Sequence, residues 1–215
     1  MAVSAKAVAE LRKRTGAGMM NCKKALVECD GDMEKATEYL QKKSLAAVGK
    51  RAGKVAAEGT VHSYIHGGRV GVLVEVNCET DFVARGEAFQ GMVKDVAMHI
   101  AAASPLYLEP SEIPAEETAK QEEIYAAQVR ESGKPEKIIP KIVEGKIRKR
   151  HSDVCLLNQP FVKDDKKSVN DFVTEAAATI KEKISVRRFV RFELGEGIDR
   201  GEDDFAAEVA AAAGV

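Results

Sequence analysis

From Arg69 to Val76 the chain alternates, with Val70, Val72, Val74 and Val76 falling on one side of an extended strand. Soon after, Phe89, Val93, Val96 and Ile100 recur at the spacing of one helix face. This change of period requires a sheet with a helix laid on it. Between the two lies Glu75-Val76-Asn77-Cys78-Glu79-Thr80-Asp81-Phe82-Val83-Ala84-Arg85. That turn sets an acid, Asp81, beside a large aromatic, Phe82. Two readings are open on the residues alone. In one, Thr80 caps a short helix, Asp81 is favoured by the helix dipole by ~0.3–1 kcal/mol, and Phe82 is core. In the other, the strand end delivers a charge and a ring together to a partner.

The neighbouring segments extend the same pattern. Thr60 to His66, then Gly67-Gly68, then the alternating run, reads as a β-hairpin with His66 at its tip. A helix from about Gly86 to Ala103 ends at Ser104-Pro105. Two charged segments follow, one from Pro114 to Ser132-Gly133 and one from Pro135 to about Arg150; the second carries Ile138, Ile139, Ile142, Val143 and Ile147. They predict an antiparallel helical hairpin over about 114–151, either a plain charged surface or a partner contact. Ser168-Val169-Asn170-Asp171 predicts a capping box, and Val169, Phe172, Val173, Ala176 and Ile180 the helix it starts. Ser185 to Leu194 predicts a third strand with Arg188, Val190, Phe192 and Leu194 on one side. The fold class is α+β, a small antiparallel three-stranded sheet packed with helices and a protruding helical hairpin.

The N-terminal part is helical by the same reasoning. Ser4 can cap a helix bearing Ala7, Val8 and Leu11, which Gly16 and Gly18 stop. Met19, Cys22, Leu26 and Cys29 form the stripe of a second, with Asn21 as a candidate cap. After Asp30-Gly31-Asp32, Met33, Ala36 and Leu40 mark a third. Met19 and Met20 point about 100° apart on a helix, so they cannot both face a small core. Either one packs inside, or exposed thioethers await a protein contact. The expected divisions are a three-helix bundle over 1–45, a linker over 46–58, the α+β core over 59–194 and a C-terminal module over 195–215. Within the last, 203–209 predicts a short amphipathic helix too short to stand alone.

Composition narrows the chemistry. Net charge is −1, which does not imply a polyanion as partner. No apolar run approaches the ~20 residues of a membrane span, and the first residues lack the apolar stretch of a signal peptide, so a cytoplasmic protein without membrane contact is expected. Cys22, Cys29, Cys78 and Cys155 make no C-x-x-C pair, and His62, His66, His99 and His151 are scattered. No phosphate-binding glycine loop, dinucleotide fingerprint or nucleophile elbow is present. No cofactor, metal or active site of its own is expected. Two other function classes remain: an RNA- or ribosome-associated helical protein using the basic stretches Arg12 to Lys24 and Lys42 to Lys54, and an enzyme using the acids from Glu79 to Asp81.

A second string is Leu11-Arg12-Lys13-Arg14-Thr15-Gly16-Ala17-Gly18-Met19-Met20-Asn21-Cys22-Lys23-Lys24-Ala25-Leu26. Together with the Glu75 to Arg85 stretch it resembles, in order and spacing, the two signatures of bacterial elongation factor Ts, in a short form. Asn21 departs from the acidic residue common there. The resemblance implies a ubiquitin-associated-like N-terminal bundle and a guanine nucleotide exchange factor for the GTPase elongation factor Tu. It implies that Thr80, Asp81, Phe82 and Val83 reach the GTPase's magnesium and phosphate region, and that Arg12, Met19 and Met20 touch its nucleotide domain. It implies that His66, in Tyr64-Ile65-His66-Gly67, approaches the phosphate-binding loop. Magnesium and GDP or GTP would belong to the partner. Longer members carry two similar core subdomains and this chain shows one, so a homodimer or a two-to-two complex is expected.

Overall fold

The computed structural model describes residues 3–198. Helix α1, Ala5–Thr15, starts where the Ser4 side chain accepts from the Ala7 N–H and ends on Gly16 in the left-handed region at φ 65°. Helix α2, Met19–Glu28, is capped by Gly18, so Asn21 lies inside its first turn and is not the cap. The extended Gly18 backbone already lets the helix begin at Met19. Asp32 caps α3, Met33–Arg51, through the Glu34 and Lys35 N–H groups. Val8, Leu11, Cys22, Ala25, Leu26, Ala36 and Leu40 close the small core of this bundle.

Helix α3 does not stop at residue 45, the expected end of the bundle. It runs unbroken through the first half of the expected 46–58 linker, because Ala46, Ala47 and Lys50 are good helix formers and no proline intervenes. Its C-terminal half packs on a later helix, α8, Val169–Ile180, which joins the bundle to the rest of the chain.

Strands β1, Glu58–His66, and β2, Val70–Cys78, form the predicted hairpin. Gly67 and Gly68 both take positive φ, and the Arg69 N–H donates to the His66 carbonyl, the primed two-residue turn that suits strand twist. Strand β5, Ser185–Glu193, pairs antiparallel with β2, so the sheet order is β1-β2-β5. Val72, Val74 and Val76 face α5, Glu87–Ala103, and bury against Phe89, Val93, Val96 and Ile100, with Val169, Val173 and Val186 completing the core. Each such side chain contributes about 1.5–3 kcal/mol when fully buried.

The third strand is placed as expected, and Arg188, Val190, Phe192 and Leu194 share one side of it, the exposed one. A bulge opposite Glu75 and Val76 inserts one extra residue, so Arg187 and Arg188 both point outward and both reach the Glu75 carboxylate, at 2.7 and 2.6 Å. Val186, Phe189 and Arg191 therefore turn inward, and Val190, Phe192 and Leu194 are exposed.

Helices α6, Ala115–Glu131, and α7, Ile139–Val154, make the charged hairpin. They hold together through buried Val129 and Ile139 and through pairs such as Arg150–Glu117 at 2.6 Å. A feature without a periodic signal follows, a two-stranded ribbon of β3, Pro160–Phe161, and β4, Asp164–Ser168. Its Phe161 stacks on Phe172 with ring centroids 4.2 Å apart. Ser168 and Asp171 form the predicted capping box of α8. The expected helix at 203–209 lies outside the described residues. Among those described, no helix is long and apolar enough to cross a membrane.

Candidate functional site

Beyond Cys78 the chain leaves β2 and makes one turn of helix, α4, Asp81–Ala84. The Thr80 side chain caps it by accepting from the Val83 N–H at 3.3 Å. Ala84 is buried and anchors the turn in the core. Phe82 points away from that core and is 84% exposed, so it is not a core residue, although Thr80 caps the turn and Asp81 lies in its first residues as the capping reading has it. Asp81 sits at the start of the turn and pairs with Arg85 at 3.1 Å, also exposed. Thr80 is exposed and Val83 half-buried. Beside the ring lies an open hollow bordered by Phe82, Val83, Phe89 and Ile180.

The base of this tip is held firmly. The Cys78 thiol, buried and pushed up from its usual pKa by desolvation, donates to the Thr80 carbonyl at 3.1 Å. Glu182, on the turn after α8, accepts from the Thr80 hydroxyl at 2.7 Å. The Glu79 carboxylate accepts from the Lys183 N–H at 2.7 Å and from Arg51 at 2.8 and 3.0 Å. Those two donors, the Lys183 amide first, hold the Glu79 carboxyl below its ordinary pKa. Arg51 stands out in the sequence only within the basic stretch Lys42 to Lys54, and Glu182 not at all, because each meets the tip from a distant stretch of chain.

The other expected contact residues are dispersed. Arg12 is exposed in the last turn of α1. Met19 and Met20 are 50% and 64% exposed at the start of α2, so neither serves the bundle core. His66 pairs with Val70 at one end of the hairpin, whereas Glu58 pairs with Cys78 at the other. His66 is thus separated from Thr80, Asp81, Phe82 and Val83 by the length of the strand, about 25 Å at the rise of a β-strand. Its Nδ1 lies 3.1 Å from the Tyr64 hydroxyl. The sheet face opposite α5 is bare: Val61, Ile65, Leu73, Val190 and Phe192 are all exposed on it.

Fold and site together define an α+β protein whose notable side chains are presented outward, a ring and an acid on a braced turn and two thioethers on a helix start. The family model for elongation factor TS matches residues 19–196. The chain is 61% identical to elongation factor Ts of Geobacter metallireducens and 60% identical to that of Geobacter sulfurreducens, each over the full length of both chains. It is 60% identical to elongation factor Ts of Desulforamulus reducens over 97% of each. The chain belongs to the elongation factor Ts family and is a translation elongation factor.

Proposed function

We propose that the chain is a guanine nucleotide exchange factor that binds elongation factor Tu·GDP and promotes GDP release by disturbing the magnesium and phosphate site. The observation that carries this reading is the bare Phe82 ring beside Asp81 on a turn whose base is fixed. A ring of that size, buried in a partner, contributes about 1.5–3 kcal/mol, enough to displace a packed element. Asp81 brings negative charge toward a region that holds a cation and phosphates. Magnesium demands near-ideal octahedral geometry, so a small shift of its ligands loosens it. Factor and nucleotide then weaken each other's binding by the same coupling free energy. Metal and nucleotide are the partner's, and the chain acts without an active site of its own.

Thr80 and Val83 shape the turn, and Arg12, Met19 and Met20 form a second contact through the N-terminal bundle. His66 would act only at a separate point of the partner, given its place at the far end of the hairpin. The bare sheet face supports a homodimer, or a two-to-two complex, in which each copy covers the other's exposed valines and Phe192. The setting is the cytoplasm, where translation factors work. Stopped-flow release of fluorescent GDP from elongation factor Tu tests the central claim. Release should accelerate with this protein and much less with its Phe82→Ala variant; no acceleration by the unmutated chain would refute it.

A further inference from the structure

Residues far apart in sequence meet at the base of the tip. Glu182 Oε2 accepts from the N–H groups of Glu79 and Thr80, each at 3.1 Å, while its Oε1 takes the Thr80 hydroxyl. The Thr80 oxygen in turn accepts from Val83, so one line of hydrogen bonds runs from Glu182 into the turn that carries Phe82. Hydrogen bonds to an ionised carboxylate are the strong kind. Glu182 can aim this way because Lys181, left-handed at φ 67°, closes α8 and turns the chain toward β2. Arg51, the last residue of α3, donates from one guanidinium nitrogen to both carboxylate oxygens of Glu79. Lys183 completes the frame: its Nζ donates to the carbonyls of Ala52 and Lys54, at 2.8 and 2.9 Å, just past the end of α3.

We propose that Glu182 and Arg51 are positioning residues, which hold the Asp81–Phe82 turn in its presented form and tie its aim to the N-terminal bundle. This rests on the reading that the tip enters a GTPase. A ring on a loose loop would lose part of its binding energy to ordering the loop, and a loop ordered in advance does not. The clamp therefore acts on the exchange step more than on docking, since Arg12, Met19 and Met20 stay in place without it. Arg51 ties the tip to α3, which packs against the α1 and α2 helices that carry Arg12, Met19 and Met20.

The test compares Glu182→Gln and Arg51→Gln with the unmutated chain and with Phe82→Ala. In the free proteins, amide hydrogen exchange at Glu79, Thr80 and Val83 should quicken about tenfold in Glu182→Gln, with β2 and α5 unchanged. In stopped-flow GDP release from elongation factor Tu, the maximal rate should fall about tenfold and the half-saturating concentration change little. Arg51→Gln should shift both readouts the same way by less, because Glu79 keeps its Lys183 donor. Unchanged amide protection in Glu182→Gln, or a freed loop with an unchanged maximal rate, would overturn the proposal. A rise in half-saturating concentration alone would overturn it too. Phe82→Ala separates the two ideas: if it releases GDP as fast as the unmutated chain, the tip reading fails, and the positioning role falls with it.

Discussion

His99 and Gln159 face each other inside the core, with Nε2 of the ring donating to Oε1 of the amide across 3.0 Å. The direction follows from the other nitrogen. Nδ1 accepts from the Val162 N–H at 3.2 Å, so the ring is neutral and its proton is on Nε2. The charged groups nearest in sequence, Asp95 one turn back on α5 and Lys163 beside Val162, pair with each other at 2.6 Å. Burial lowers the His99 pKa, against a smaller opposing effect of Gln159. The unfolded chain takes a proton first as pH falls, so the native state loses stability below the ordinary imidazole value of about 6.5. Chemical denaturation should show a lower midpoint at pH 5.5 than at pH 8. His99→Gln should be less stable at pH 8 and should lose most of that difference.

Phe82→Ala should leave folding intact. The ring is almost wholly exposed, so the change in unfolding free energy should be within about 0.5 kcal/mol. GDP release should nonetheless slow by roughly tenfold or more, since each ~1.4 kcal/mol of lost contact is a factor of ten. Matching denaturation curves with unequal release rates would be the expected pair.

Gly59 sits in β1 at φ 141°, and a Cβ built there would overlap the Val76 carbonyl. Gly59→Ala must therefore push β1 away from β2. A loss of about 2 kcal/mol or more is expected in thermal unfolding. Gly91→Ala makes the contrast: its Cβ would meet open space on α5, and helix propensity predicts a gain of about 0.5–1 kcal/mol.

Phe192→Asp tests the sheet face. The ring is 68% exposed in the single chain, so the substitution should not unfold it. If two copies pair through this face, a buried unpaired carboxylate at each side would separate them. Sedimentation should then report a dimer for the unmutated chain and a monomer for the variant.

Ser168→Ala removes one arm of the capping box that starts α8. A loss of about 1 kcal/mol is expected from denaturant unfolding. The same variant should raise amide exchange at Asp171 in the first turn of α8, which loses its acceptor, and leave the far end of the helix unchanged.

Much of this architecture was legible in the chain. Alternation plus Gly67-Gly68 predicted the β1–β2 hairpin, the spacing of Phe89 to Ile100 predicted α5, and Ser168 with Asp171 predicted the start of α8. Alternation grouped Arg188, Val190, Phe192 and Leu194 correctly but could not show the bulge at Arg187, which sets Val186 on the opposite face from Arg188. The β3–β4 ribbon has a charged strand, Asp164-Asp165-Lys166-Lys167-Ser168, with no alternation to read. Glycine and lysine suggest a connector beyond residue 45, where alanine instead sustains α3 to Arg51. In the site, Phe82 and Asp81 were visible as a pair, but their brace was not. Glu182 meets Thr80 across 102 residues of chain, and no local spacing rule reaches so far.

The turn after α8 has a practical bearing on any hybrid built between relatives. Grafting the Thr-Asp-Phe segment from one factor into another transfers the wedge without the bracket that steers it. Such a hybrid should dock normally and work poorly until the donor's own Glu182 turn is moved along with it.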